Sequence, residues 1–317
     1  MKKFLAALGW LILFAAAGMA VMGGLSVALL HHHIPFRTLL RMASSGALPG
    51  TLGWVIAACF AALPGARPAP PRRFGLAQAV WGMAGTLVLM LCGATLPYLA
   101  AIYLALVRIL LHLPAAMPGR HDIMLLVTSL MASELLGGLW LIWYVRRQGA
   151  VVAQGGPGGI AWRAAPSRAY GMALLGALAV LALAGAEFRL LPPDLSRLHD
   201  LPLAQLFQGP PVIALTAALV VIGLAPVLEE VLFRGLAFAG IAQRLGTGWA
   251  VALTTLVFTA LHAPEKLYYL PGFADVAAVA LLSCALRLRY RSIRPGIAMH
   301  FLYNLGMLLV PALTGGK

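Results

Sequence analysis

The chain has 317 residues, of which 62% are hydrophobic and only 10% charged. A soluble domain carries about a quarter charged residues, and here apolar windows of about 20 residues, the length that spans a hydrocarbon core as a helix, recur along the whole sequence. That excludes a soluble globular protein and predicts an all-α, polytopic transmembrane bundle of eight to nine spans. The 23 basic residues outnumber the 9 acidic ones. The cations cluster between apolar runs, so they read as loop charge that orients helices, and no nucleic-acid partner is expected.

Met1, Lys2 and Lys3 precede an apolar run from Phe4 to Leu30, too long for a signal-peptide core and read as a retained first span. His31, His32 and His33 follow as an interfacial polar cluster. Further spans are expected at 48–65, 75–112, 123–145, 169–190, 211–240, 248–267, 272–287 and 295–313. Pro97 and Arg108 make 75–112 one crossing followed by a tilted or interfacial piece. Cys59, Cys92 and Cys284 lie in apolar segments without paired spacing and read as small core residues.

With one crossing at 75–112 and a cytoplasmic N-terminus, 15 of the 23 cations fall on the cytoplasmic side. Trp140, Trp143 and Tyr144 before Arg146 and Arg147 form an aromatic belt with a positive flank. Gly155, Gly156, Pro157, Gly158 and Gly159 break any helix, so the chain divides into an N-terminal transmembrane region, 1–168, and a C-terminal one, 169–317.

The chemistry concentrates in the last third. Glu229 and Glu230 sit in a long apolar stretch behind Pro226, which predicts a bend just before them. A charge near the bilayer centre is unfavourable by about 2.5–3.5 kcal/mol and marks a site with partners. Glu230 and Arg234 are spaced i to i+4 with the acid first, the favourable order for a helical ion pair, while Glu229 points about a quarter-turn away. Phe258 with His262, and His300 with Asn304, repeat the i to i+4 spacing on two later helices. Each element has a bland alternative: a structural bridge, a satisfied core histidine, or hydrogen bonds between helices.

The ordered pattern Glu-Glu-x-x-x-Arg, Phe-x-x-x-His and His-x-x-x-Asn over roughly 210–310 resembles the CPBP family of membrane proteases, which includes type II CAAX prenyl endopeptidases and bacteriocin-processing or bacteriocin-immunity proteins. The resemblance implies an intramembrane peptidase whose catalytic set is Glu229, Glu230, His262, His300 and Asn304. In that set Glu229 and His262 activate a water, His300 and Asn304 stabilise the oxyanion, and Arg234 pairs with Glu230 in support, with Phe258 beside His262. The family is commonly called metalloprotease, and Glu229, His262 and His300 are candidate ligands for zinc with one position open to water. The chain lacks a His-Glu-x-x-His helix. Implied partners are membrane lipid and a hydrophobic or lipidated peptide, and the implied location is a bacterial cytoplasmic membrane.

Two other readings stand beside this one, a proton- or ion-coupled transporter and a catalytically silent scaffold, although no counterpart of Glu229 and Glu230 occurs upstream. Glu134, with Ser133, Gly137 and Gly138 around it, reads as a helix-packing or interfacial residue, the alternative being that it lines the same cavity, and stands outside the catalytic set. Counting from Pro295 and Gly248 at about 1.5 Å per residue, His300 lies about 7 Å and His262 about 21 Å along their helices. They meet only if one helix is shifted or tilted, so the helix bearing His262 is expected to start below the membrane edge.

Overall fold

A computed structural model describes residues 74–114, 122–194 and 202–313. The expected spans at 4–30 and 48–65, the histidine run at 31–33 and Cys59 lie outside the described residues. Every described element is helical, with no strand among them. The helices are α1 (Leu76–Leu110), α2 (Ile123–Arg146), α3 (Ser167–Leu190), α4 (Pro202–Gln208), α5 (Pro211–Leu245), α6 (Thr247–Leu261), α7 (Gly272–Tyr290) and α8 (Arg294–Leu313).

Four of these, α1, α2, α3 and α5, are long and apolar enough to cross a membrane. Their outward faces fit lipid rather than water: Leu135, Leu139 and Ile142 on α2 and Leu174, Leu175 and Leu178 on α3 are all exposed. The apolar helices make this an integral membrane protein. The expected total of eight to nine spans extends over residues outside the described ones.

The chain forms two compact units. In the smaller, Met1–Arg72 with Thr95–Gly119, the described part is the second half of α1, which runs on through Pro97 and closes in a turn at His112. The larger, Arg73–Ala94 with Arg120–Lys317, holds everything that follows.

Within the larger unit, α2 runs parallel to α5. Val127 packs with Ile213 and Ala217 near the start, and Tyr144 shares a core cluster with Leu236 further on. The first half of α1 lies on α2 through small residues: Trp140 Nε1 donates to the Gly82 carbonyl (3.3 Å) and Tyr144 donates to the Gln78 carbonyl (2.6 Å). On α3 an alanine ladder, Ala169, Ala173 and Ala177, is buried against α7 and α8, and the i, i+4 repeat keeps it on one stripe.

The glycine-rich stretch between the two expected regions is an ordered connector. A 3₁₀ turn at Gly149–Val152 returns through Ile160, whose N–H donates to the Val151 carbonyl (3.0 Å), and Ile293 N–H donates to the Ala161 carbonyl (3.1 Å). Arg287, 1% exposed, donates through Nη2 to the Gly159 carbonyl (2.6 Å) and lies 3.9 Å from the Phe238 ring. A guanidinium thus satisfies carbonyls that a turn cannot.

The helix expected at 248–267 stops at Leu261, because Pro264 cannot carry the ladder onward. His262 caps it.

Close approach of α1 to α2 predicts a packing effect. A Cβ on Gly93 would come 2.3 Å from the Ala132 carbonyl oxygen, whereas Gly171 has open space around it. Gly93→Ala is expected to lower stability by about 1–3 kcal/mol and Gly171→Ala to leave it near the parent's, as read by thermal unfolding in detergent.

Candidate functional site

Two departures from α geometry shape α5: π-helical stretches at Leu219–Leu224 and Val231–Ala237 flank the α-helical turns Ala225–Glu230. Pro226 accounts for the first. It has no N–H and its ring crowds the preceding turn, so the helix widens upstream and the Ala225 N–H bonds to the Val220 carbonyl, five residues back. In that register the Val221 carbonyl should receive the N–H of residue 226, which a proline lacks. Asn304 Nδ2 on α8 donates to it instead (2.9 Å).

Glu230 and Arg234 are both fully buried, with Arg234 Nη1 3.3 Å from Glu230 Oε1. The contact is ionic rather than a well-aligned hydrogen bond, and the guanidinium stacks on the Phe258 ring at 4.3 Å. Ser283 Oγ on α7 donates to Glu230 Oε1 (3.2 Å), and Arg287 Nε donates to the Arg234 carbonyl. Gly296 lets α8 pass close by: a Cβ there would lie 3.0 Å from Glu230 Oε2.

Glu229, on the neighbouring face, keeps 27% of its side chain exposed. The His300 ring sits between the two acids, its Nε2 3.8 Å from Glu229 Oε2 and its Nδ1 3.4 Å from Glu230 Oε1. Phe258 supports the group from α6, with ring centroids 5.9 Å from His300, 4.7 Å from His262 and 5.2 Å from Phe233.

His262 Nδ1 lies 2.8 Å from the Phe258 carbonyl, one of the carbonyls left without a helical donor at the end of α6. A carbonyl only accepts, so Nδ1 carries the hydrogen and Nε2 holds the lone pair. Both histidines therefore abut one phenylalanine, which requires α8 to be displaced along its axis relative to α6, the shift that their unequal depths demanded.

The structure thus brings Glu229, Glu230, Arg234, Phe258 and His300 into direct contact, sets His262 against the same ring, and ties Asn304 to the carbonyl of Val221. Ser283, Gly296 and Arg287 belong to the same neighbourhood and were absent from the sequence expectation. Ser283 and Arg287 share the i to i+4 spacing within an apolar helix that flags the other pairs, so their signal was present. Glu229 Oε2 is a buried oxygen with no protein hydrogen-bond donor. Among the described residues no group of three or more His, Cys, Asp and Glu side chains could hold a metal ion, the trio Glu229, His262 and His300 included. Zinc accordingly enters none of the steps below.

Residues 211–306 match the family described as Type II CAAX prenyl endopeptidase Rce1-like. This segment is similar to an Rce1-like domain, which is consistent with the CPBP family. No curated protein and no solved structure matches the chain.

The two acids differ in what they hold, and their variants should differ too. Arg234→Met leaves Glu230 buried without its cation and is expected to lower stability by about 3–5 kcal/mol, whereas Glu229→Gln leaves the melting midpoint close to the parent's. Thermal unfolding in detergent reads both. The Asn304 bond makes a second prediction. Asn304→Ala strands the Val221 carbonyl and lowers stability by about 1–3 kcal/mol. Pro226→Ala restores an N–H in reach of it, so the effect of Asn304→Ala shrinks in that background, as a double-mutant cycle would measure.

Proposed function

We propose that this protein is an intramembrane endopeptidase that hydrolyses a peptide bond in a hydrophobic or lipidated substrate, with Glu229 as the base. The observation that carries the reading is the contact of Glu229 with His300 on one side of Phe258 and His262 on the other, inside the segment that matches the endopeptidase family.

Water bound at Glu229 Oε2 gives up a proton to the carboxylate as its oxygen attacks the scissile carbonyl. His262 Nε2, the lone-pair nitrogen, accepts the water's other hydrogen and aims it. His300 supplies an N–H to the developing oxyanion, and so does the second N–H of Asn304, whose first is fixed on Val221. Removal of one such donor slows comparable reactions by about 10²–10³-fold. Glu230 and Arg234 hold the helix that presents Glu229 and touch no reacting atom. The excess of cations on alternate loops supports a cytoplasmic N-terminus, with the site reached from the cytoplasmic side.

Purified protein in detergent is expected to cleave a farnesylated or otherwise hydrophobic peptide. Glu229→Ala and His262→Ala should each reduce that cleavage by at least about 100-fold while the melting midpoint holds. Cleavage by both variants at the parent's rate would reject this mechanism. Ion flux in vesicles that the same substitutions abolish, without peptidase activity, would favour a transporter.

A further inference from the structure

The connector between α2 and α3 meets the turn between α7 and α8, and the junction gathers three arginines from two distant segments. A Cβ on Gly155 would lie 3.3 Å from Arg163 Nη1 and 2.7 Å from Arg291 Cβ, so both side chains border one small space. Arg294 lies over the ring of Trp162, the neighbour of Arg163, at 5.3 Å. Ser292 Oγ fixes this pairing, because it donates to the Arg163 carbonyl (2.6 Å) and accepts from the Arg294 N–H (3.2 Å).

These charges have no internal counter-ion. No aspartate or glutamate occurs between Glu134 and Glu187 or after Asp275, and none of the three arginines forms an ion pair among the described residues. The nearby backbone acceptors are spent as well. The carbonyl of Gly159 receives Arg287, that of Ala161 receives the Ile293 N–H, that of Arg163 receives Ser292, and those of Val152 and Gln154 receive the N–H groups of Trp162 and Ala161. Arg294 Nε is left as a buried donor with no partner, an unfavourable state for a cationic group. Arg163 and Arg291 keep exposed side chains beside it.

The junction therefore offers guanidinium forks, one orphaned N–H and the positive end of the 20-residue α8, which begins at Arg294. That set fits an anion with several acceptor oxygens around one centre, as in a phosphate. Position selects the source of the phosphate. The helices α2 and α3, both long and apolar enough to cross a membrane, end and begin at this connector. Trp162 and Tyr170 are exposed there, and such amphipathic rings settle at headgroup level. A phosphate carried on acyl chains meets both the charge and the setting, whereas a free phosphate meets only the charge.

We propose that Arg163, Arg291 and Arg294 bind the phosphate of an anionic phospholipid headgroup, with Trp162 beside it at the lipid boundary. The site is separate from Glu229 and independent of the peptidase reading. A bound headgroup would neutralise the arginines and clamp the connector to the turn that leads into α8.

The test titrates full-length protein in neutral detergent with short-chain phosphatidylglycerol, with phosphatidylcholine of the same chains and with inorganic phosphate, and counts bound lipid by native mass spectrometry. The parent is expected to bind one phosphatidylglycerol at least about tenfold more tightly than phosphatidylcholine. The triple variant Arg163→Gln, Arg291→Gln, Arg294→Gln should lose that preference. A control triple, Arg146→Gln, Arg147→Gln, Arg244→Gln, removes three other exposed arginines and should retain it. If the first triple does not fold, the double variant Arg163→Gln, Arg291→Gln, which alters exposed side chains alone, carries the same expectation. Equal loss in the site and control variants reduces the effect to general attraction between cations and lipid and overturns the site, as does a parent without the preference. Inorganic phosphate that displaces phosphatidylglycerol at equal concentration overturns the lipid assignment in favour of a free anion.

Discussion

The arrangement depends on an ion pair closed to water and lipid alike. Glu230 and Arg234 are each fully buried, and a charge in that position is tolerable only with its partner beside it. Much of the packing of this unit serves that requirement. Ser283 approaches from α7, Arg287 reaches the Arg234 carbonyl, the Phe258 ring lies under the guanidinium, and Gly296 clears space for α8 beside the carboxylate. Three helices are thereby fixed against one turn of α5. Because adjacent residues on a helix point about 100° apart, immobilising Glu230 also fixes the direction of Glu229. The proposed chemistry depends on a residue it does not use.

A similar economy governs the segment just before. Pro226 removes a donor from an apolar helix, which in hydrocarbon is tolerated only where another group supplies the missing bond. The side chain of Asn304 supplies it, so the proline that loosens α5 next to Glu229 also recruits α8, and with α8 comes His300 one turn earlier. The π-helical stretches on either side of the acids are the geometric record of this exchange, and such stretches gather at functional sites in other helices.

Most of this was legible in the sequence because buried charge is rare and informative. Nine acids in 317 residues leave few places to look, and i to i+4 spacing converts pairs such as Glu230 with Arg234 into statements about a helical face. The membrane class, α2, α3, α7 and α8 to within a few residues, and the grouping of Glu229, Glu230, Arg234, Phe258 and His300 all follow from that logic. What stayed hidden was set by contacts between distant segments. Nothing local in Asn304 says that its partner is the Val221 carbonyl, and a run of glycines next to a proline reads as a breaker whether or not an arginine more than a hundred residues later fixes it in place.

The short length of α6 ties these features to the proposed reaction. Its 15 residues rise about 22 Å, less than the roughly 30 Å of a hydrocarbon core. A helix that stops inside a membrane leaves its last carbonyls without donors, a state tolerated only where protein or water covers them. His262 meets one of these carbonyls through Nδ1, and Pro264, Glu265 and Lys266 follow at once, residues that belong to a wet boundary rather than to lipid. Hydrolysis needs water at depth, and a truncated helix is one way to admit it. The same termination that would be a defect in a structural span holds the Nδ1 hydrogen of His262 on a carbonyl and leaves Nε2 as the nitrogen the proposed hydrolysis would use.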